Sequence, residues 1–158
     1  MHISKDRIKL SGSSSLKKGP VVYWMSREQR VDDNWGLLHA QNLAIEKKRA
    51  LIVVFCIKPC FLGATIRAYD FMLKGLGKVE KKLSAKNIQF IALTGDPSSQ
   101  IPLFLKKHKA CCIISDFDPL KIKQHWKNEI ISKSNIPYYE VDSHNIVPCL
   151  IASLKQDY

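Results

Sequence analysis

From Pro20 onward, short apolar, β-branched runs alternate with longer stretches whose apolar positions recur every three to four residues. The runs at 21–25, 51–57, 88–93, 111–115 and 138–141 read as strands buried on both faces. Between the first two, Leu37, Leu38, Ala40, Ala44 and Ile45 mark one side of a helix over 33–48, with Asp33 suited to cap it. A longer helical pattern over 63–86 sets Ile66, Tyr69, Met72, Leu73, Leu76, Val79 and Leu83 on one face, although Gly75 and Gly77 each cost it about 1 kcal/mol. Two further helices should begin near Pro97 and Pro119, capped by Asp96 and Asp118, because proline is tolerated at the first helical position. Strands alternating with crossover helices predict an α/β fold: a Rossmann-like, doubly wound, five-stranded parallel sheet of order 3-2-1-4-5, with helices on both faces.

The flanks lack this pattern. Residues 1–19 combine lysines with the run Ser-Gly-Ser-Ser-Ser at 11–15 and predict a basic flexible arm. Residues 20–141 form the α/β domain, and 142–158 supply no sixth parallel strand and are expected to be irregular.

In a sheet of this order the winding reverses between the first and fourth strands, which opens a crevice at their carboxyl ends. Trp24, Met25, Ser26, Arg27 and Arg30 would line it after the first strand, and Asp116, Phe117 and Asp118 after the fourth, with Asp33 and Asn34 at the nearby helix start. Aromatic and apolar groups there suit a flat ring, while Arg27, Arg30 and backbone amides suit an anion. Taken singly, Trp24 and Phe117 also read as core residues, and the arginines as solvated charges.

Several chemistries are disfavoured. Neither G-x-G-x-x-G nor G-x-x-x-x-G-K-[ST] follows the first strand, which argues against ordinary dinucleotide or triphosphate chemistry. Gly75-Leu76-Gly77 falls in mid-helix, where close packing is the expected reason for it. His39, His108, His125 and His144 lie on separate elements, and Ser115-Asp116 or Asp142-Ser143-His144 lacks a nucleophile-elbow pattern. Catalytic residues and a metal site are therefore not expected.

Composition adds three constraints. A chain of 158 residues, 46% hydrophobic and 25% charged, suffices for one domain with a core. Its longest apolar run, 50–57, falls short of the roughly 20 residues of a membrane span, so a soluble protein without a membrane partner is expected. The formal charge of +11 favours polyanions, nucleic acid above all, and Lys5, Arg7, Lys9, Lys17 and Lys18 against Asp6 place +4 of it in the first twenty residues. The odd set Cys56, Cys60, Cys111, Cys112 and Cys149 reads as buried thiols in a reducing compartment, cytoplasmic or, in a eukaryote, nuclear.

The stretch Val22-Tyr23-Trp24-Met25-Ser26-Arg27-Glu28-Gln29-Arg30-Val31-Asp32-Asp33-Asn34-Trp35 resembles the opening signature of class II cyclobutane pyrimidine dimer photolyases, of the photolyase and cryptochrome family. Collinear with it are segments 61–76, Leu93-Thr94-Gly95-Asp96-Pro97, Asp116-Phe117-Asp118-Pro119-Leu120, and 139–149, which is similar to that family's exit from its N-terminal α/β domain. The resemblance implies an antenna or scaffold domain supporting a pigment, 8-hydroxy-5-deazaflavin or else a folate or flavin. FAD, the electron transfer that splits pyrimidine dimers, and most contact with damaged DNA would belong to a helical C-terminal domain, toward which 142–158 would begin the linker. Trp24, Trp35 and Trp126 are not assigned an electron-transfer role, and the chain alone is not expected to repair DNA. Two alternatives stand beside it: a stand-alone nucleotide-binding domain of the universal stress protein or electron-transfer flavoprotein type, and a basic module that holds DNA or another subunit without a small ligand.

Overall fold

The computed structural model describes residues 3–13 and 15–152. Its single sheet has six strands: β1 (Ile8–Gly12), β2 (Val21–Trp24), β3 (Leu51–Ile57), β4 (Gln89–Thr94), β5 (Cys112–Asp116) and β6 (Pro137–Val141). The spatial order is β1-β6-β5-β2-β3-β4, so the five parallel strands follow the expected 3-2-1-4-5 winding. The helices are α1 (Trp35–Glu46), α2 (Ile66–Ser84), α3 (Pro97–Lys107), α4 (Lys121–Ser134) and the single turn α5 (Cys149–Ala152).

Side-chain alternation along the central strands divides the core into two layers. Val21, Tyr23, Val53, Phe55 and Ile114 face α1 and α2, where they meet Leu37, Ala40, Leu76, Val79 and Leu83. Val22, Trp24, Ile52, Val54 and Ile113 face α3 and α4 and meet Ile101, Phe104, Trp126 and Ile130. Strands β2 and β3 are therefore apolar at every position, and β5 is so until Ser115 and Asp116, which is why they read as continuous runs. Among the described residues, no helix is long and apolar enough to cross a membrane.

The structure corrects the sequence reading in several places. The expected count of five strands misses β1, which lies in the segment assigned to a flexible arm and pairs antiparallel with β6 from Ile8↔Val141 to Gly12↔Pro137. Arg7 fastens it, donating to the carbonyls of Asn145 at 2.6 Å and Ile146 at 2.7 Å and lying 4.1 Å from the Trp35 ring centroid. Asn34, not Asp33, caps α1, accepting from the Leu37 N–H at 2.8 Å, while Asp33 adopts φ 51°. Helix α2 begins at Ile66 behind a Thr65 cap, because Gly63 at φ 71° turns the chain first. Only Leu76, Val79 and Leu83 of its expected face are fully buried, and Ile66 is 89% exposed. Gly75 and Gly77 face open space, so close packing does not explain them. Cys60 and Cys149 are exposed, unlike the other three cysteines.

At the amino ends of the strands, the chain entering β2 runs tight against the loop entering β5. Cys111 N–H donates to Pro20 O at 2.9 Å, and Lys17 N–H to Cys111 O at 3.4 Å. Gly19 sits at φ 143°, and a Cβ there would come within 1.9 Å of the Lys109 carbonyl oxygen. Gly19→Ala should therefore destabilise the fold by about 2 kcal/mol or more. Gly77→Ala, in mid-helix with nothing nearby, should stabilise it by about 0.5–1 kcal/mol. Urea unfolding of the two variants measures both signs.

Candidate functional site

Strand β2 pairs with β3 and β5 in matching register, Trp24 lying opposite both Val54 and Ser115. The turns leaving β2 and β5 therefore emerge side by side at the carboxyl end of the sheet. Their contact centres on Asp116, the last residue of β5. One carboxylate oxygen accepts the backbone N–H groups of Ser26 (2.9 Å), Arg27 (2.7 Å) and Glu28 (2.9 Å). The other accepts the Tyr23 hydroxyl at 2.5 Å, and that hydroxyl in turn accepts from the Asn34 carboxamide at 3.0 Å. The same Asn34 nitrogen donates to the carbonyls of Glu28 (3.0 Å) and Arg30 (2.9 Å), tying the turn to the start of α1.

Gly36 permits this closeness, since a Cβ there would meet the Tyr23 ring at 2.9 Å and the Asp116 carboxylate at 3.1 Å. Burial drives the Asp116 carboxyl up from its ordinary value, while the Tyr23 hydroxyl and the three amides pull it back. Burial, and then the Asp116 charge, lifts the Tyr23 hydroxyl well above its own.

The ten residues expected to line a single crevice are distributed among several surroundings. Trp24, Ser26, Asp116 and Asp118 border a crevice of only ≈ 10 Å³. Met25 is fully buried in the core. Arg27 donates to the Phe117 carbonyl at 3.3 Å, and Phe117 is half-buried. Arg30 pairs with the buried Glu28 at 2.9 Å and donates to Asp33 O, and Glu28 also contacts His144 Nδ1. Asp33 and Asn34 border a separate depression beside α1. Asp118 does not cap α4, which starts at Lys121, and instead accepts the Leu120 N–H at 3.1 Å.

A roomier cleft than that crevice lies one strand over, above the end of β3. This cleft of ≈ 160 Å³ is walled by Phe61, Tyr69, Met72 and Trp126, with Ser26 and Gln29 from the β2 turn on one side and Ala64 and Ala68 of the α2 approach leaving space on another. Tyr69 braces the wall, its hydroxyl donating to Lys58 O at 2.5 Å and accepting the Phe61 N–H at 2.9 Å. Left-handed Cys60 (φ 55°) and Leu62 (φ 48°) shape the turn that presents Phe61.

Lys123 enters from α4, its ammonium 5.3 Å from the Phe61 ring centroid and 5.0 Å from that of Trp126. Burial lowers the pKa of this amine, opposed by the charges of Asp118 and Asp116. Burial also lifts the Cys56 thiol of the same cleft to about 11, so it is a lining group and not a nucleophile. Of the ten expected residues only Ser26 borders this cleft. The spacing of Ala64, Ala68 and Met72, one helical turn apart, was the signal available in the sequence.

The cleft is thus partly apolar, lies at the carboxyl end of a doubly wound sheet, and holds two half-buried cations, Lys58 paired with Asp96 and Lys123 against the rings. A family model described as DNA photolyase matches residues 21–158. The chain belongs to the DNA photolyase family. It is similar to the deoxyribodipyrimidine photo-lyase of Potorous tridactylus, at 48% identity over 87% of this chain and 26% of that protein. The protein of the same name from Arabidopsis thaliana is 41% identical over 89% of this chain and 29% of its own length. That of Methanothermobacter thermautotrophicus is 33% identical over 99% and 35%. The chain thus spans about a quarter to a third of the length of these photolyases. A solved archaeal photolyase from Sulfolobus tokodaii, described with two FAD molecules, shares the fold at TM-score 0.66 and 19% identity over 78% of this chain and 29% of that one. A Synechocystis cryptochrome does so at 0.62 and 17% over 75% and 26%.

Asp116→Ala leaves three backbone amides, one buried and two part-buried, without their acceptor and should cost about 3 kcal/mol or more, whereas Tyr23→Phe, which removes one hydroxyl, should cost about 1 kcal/mol. Denaturant unfolding of both variants measures the difference. At Asp142, burial acts to raise the carboxyl, but the N–H groups of Cys149, Asn145 and His144 and the Asn145 carboxamide hold it below the ordinary range. Its stabilisation is present above the ordinary carboxylate pKa and is lost as pH falls through the depressed one. Asp142→Asn should therefore flatten the loss of stability from about pH 5 to about pH 2, read from urea midpoints.

Proposed function

We propose that this chain is the N-terminal antenna or scaffold domain of a class II cyclobutane pyrimidine dimer photolyase. The observation that carries the antenna role is the cleft over β3, where Lys123 enters between aromatic walls. The class II assignment rests on the resemblance of segments 22–35 and 139–149. In this reading the partner is the helical FAD-binding domain of the same protein, and damaged DNA is engaged by the full-length enzyme in a soluble compartment.

The residues fit a pigment such as 8-hydroxy-5-deazaflavin, with folate or flavin as alternatives. Phe61, Tyr69, Met72 and Trp126 offer faces for a ring, Ala64 and Ala68 leave room at its edge, and the Lys123 ammonium suits an ionised oxygen. At ≈ 160 Å³ the cleft is smaller than the roughly 300 Å³ of a small drug-sized site, so it suits the ring system with any side chain outside. Such a pigment, when bound, supplies light absorption and passes excitation to FAD. The chain's own residues orient the ring, exclude water from its faces and hold the compensating charge.

The stand-alone nucleotide-binding alternative needs free amides at the first strand-to-helix turn to meet phosphate. Three of those amides already serve Asp116.

Titration with 8-hydroxy-5-deazaflavin, folate and FMN, followed by absorption, tests the reading. The deazaflavin should bind with a spectral shift, Lys123→Gln should weaken it about 10- to 100-fold, and Ala68→Trp should abolish it. No dimer splitting should occur under near-UV light with added FAD. Failure of all three pigments to bind, or repair of thymine dimers by this chain, would overturn it.

A further inference from the structure

We propose that the opposite end of the sheet carries a second, independent site, a groove that binds the phosphodiester backbone of duplex nucleic acid without reading its sequence. The groove, ≈ 730 Å³, runs along the amino-terminal end, between the loops that enter β2, β5 and β6 and the ends of α3 and α4. Lys17, Lys18, Lys106, Lys109 and Lys133 line it, all exposed, and no carboxylate does. Lys133 is partly engaged, pairing with Glu129 at 2.7 Å and donating to Ser98 O at 3.3 Å.

A bland reason for lysines exists at two of these positions. Lys106 and Lys133 lie in the last turns of α3 and α4, where a cation answers the helix dipole. That explanation does not reach Lys17, Lys18 or Lys109, which lie outside helices. Their backbones are nonetheless fixed. The Lys17 and Cys111 amides lock the chain entering β2 against the chain entering β5, and Gly19 allows the approach to the Lys109 carbonyl. Lys109 itself is held at φ 50° with its N–H on Lys106 O. Three charges from two separate segments are therefore set side by side by main-chain geometry, at the cost of two left-handed residues.

The lining chemistry selects the partner. Lysine is depleted at protein–protein interfaces, whose anchors are aromatic residues and arginine, and the groove has neither. Lysine paired with phosphate is the main source of nucleic-acid affinity. Without an aromatic side chain, unstacked bases have no platform, which disfavours single strands. Without Arg, Asn or Gln, base edges have no reader, so binding is independent of sequence. Ser99 and Ser134 add hydroxyls of the kind that contact phosphate oxygens.

The test is a titration of the 158-residue chain with an undamaged duplex of about 20 base pairs at several salt concentrations. The variant carries Lys17→Gln, Lys106→Gln and Lys109→Gln together. The control carries Lys78→Gln and Lys81→Gln on α2 and Lys86→Gln just beyond it, which removes the same charge from the other face, and unchanged thermal melting of both shows that they fold. The groove variant should lose tenfold or more in affinity at about 50 mM salt, and its salt slope should shrink by about 2.7, or 0.9 for each lost phosphate contact. The control should retain the parent slope. Equal loss in both variants would reduce the effect to net charge and overturn the proposal. So would absence of duplex binding at low salt, or equally tight binding of a polyglutamate of matched charge, which would point to an acidic protein surface. Pigment binding is read separately, so either proposal can fail without the other.

Discussion

The architecture depends on one buried carboxylate. Asp116 ends the strand beside β2 and gathers three consecutive amides from the turn that leaves β2, together with the Tyr23 hydroxyl. An ionised carboxylate removed from water needs about this many donors to persist. A turn whose amides all point inward needs such an acceptor equally. Each therefore meets the other's requirement, and the two crossovers that diverge at the winding reversal are joined where the sheet would otherwise open. Asn34 extends the junction by capping α1 and binding the carbonyls of Glu28 and Arg30. Strand, turn and helix are thereby hydrogen-bonded to one another.

This junction determines where a ligand can go. In many doubly wound folds, the amides of the first strand-to-helix turn are the phosphate site. Here an internal anion has taken that place, and Gly36 is the opening that lets the chain come near enough for it to do so. The usable space is displaced one strand over, to the end of β3. There the chain supplies ring faces and small side chains instead of amides, along with two amines, of which Lys58 is paired with Asp96 and Lys123 faces the rings. The groups available there are ring faces, small side chains and ammonium groups, not phosphate-binding amides.

The parallel core was legible because β2 and β3 are apolar at every position, the other parallel strands are largely so, and the helices between them carry apolar stripes. Strand β1 was not, since Ile8-Lys9-Leu10-Ser11 alternates over only four residues before a serine-rich run, and its pairing with β6 depends on Arg7 reaching carbonyls some 140 positions away. Asp33 and Asn34 are both good helix caps, and what decided between them was the pair of turn carbonyls that only a carboxamide can donate to. The turns after β2 and β5 were rightly expected side by side, but the direction of the Asp116 carboxylate is a matter of strand register, which composition does not encode. Lys123 was missed for a related reason. On a helix with lysines at 121, 123, 127 and 133, nothing in the pattern separates Lys123, which faces the rings, from Lys127, which turns in to pair with Glu140.

The contrast between Asp116 and Lys123 is itself informative. The first is a buried charge surrounded by donors. The second is a half-buried charge facing two rings, with the nearby carboxylates Asp116 and Asp118 acting on it through their fields. Ring faces return part of the hydration an ammonium gives up, about 0.5–2 kcal/mol, well below the cost of drying a full charge. Helix α4 nevertheless holds Lys123 in place, because Trp126 and Ile130 are fixed in the core beneath it. The deficit is thus built into the packing, and an anionic group entering the cleft would remove it. A carboxylate saturated with donors, beside an amine left without an anionic partner, is a contrast that the fold imposes through strand register and helix anchoring.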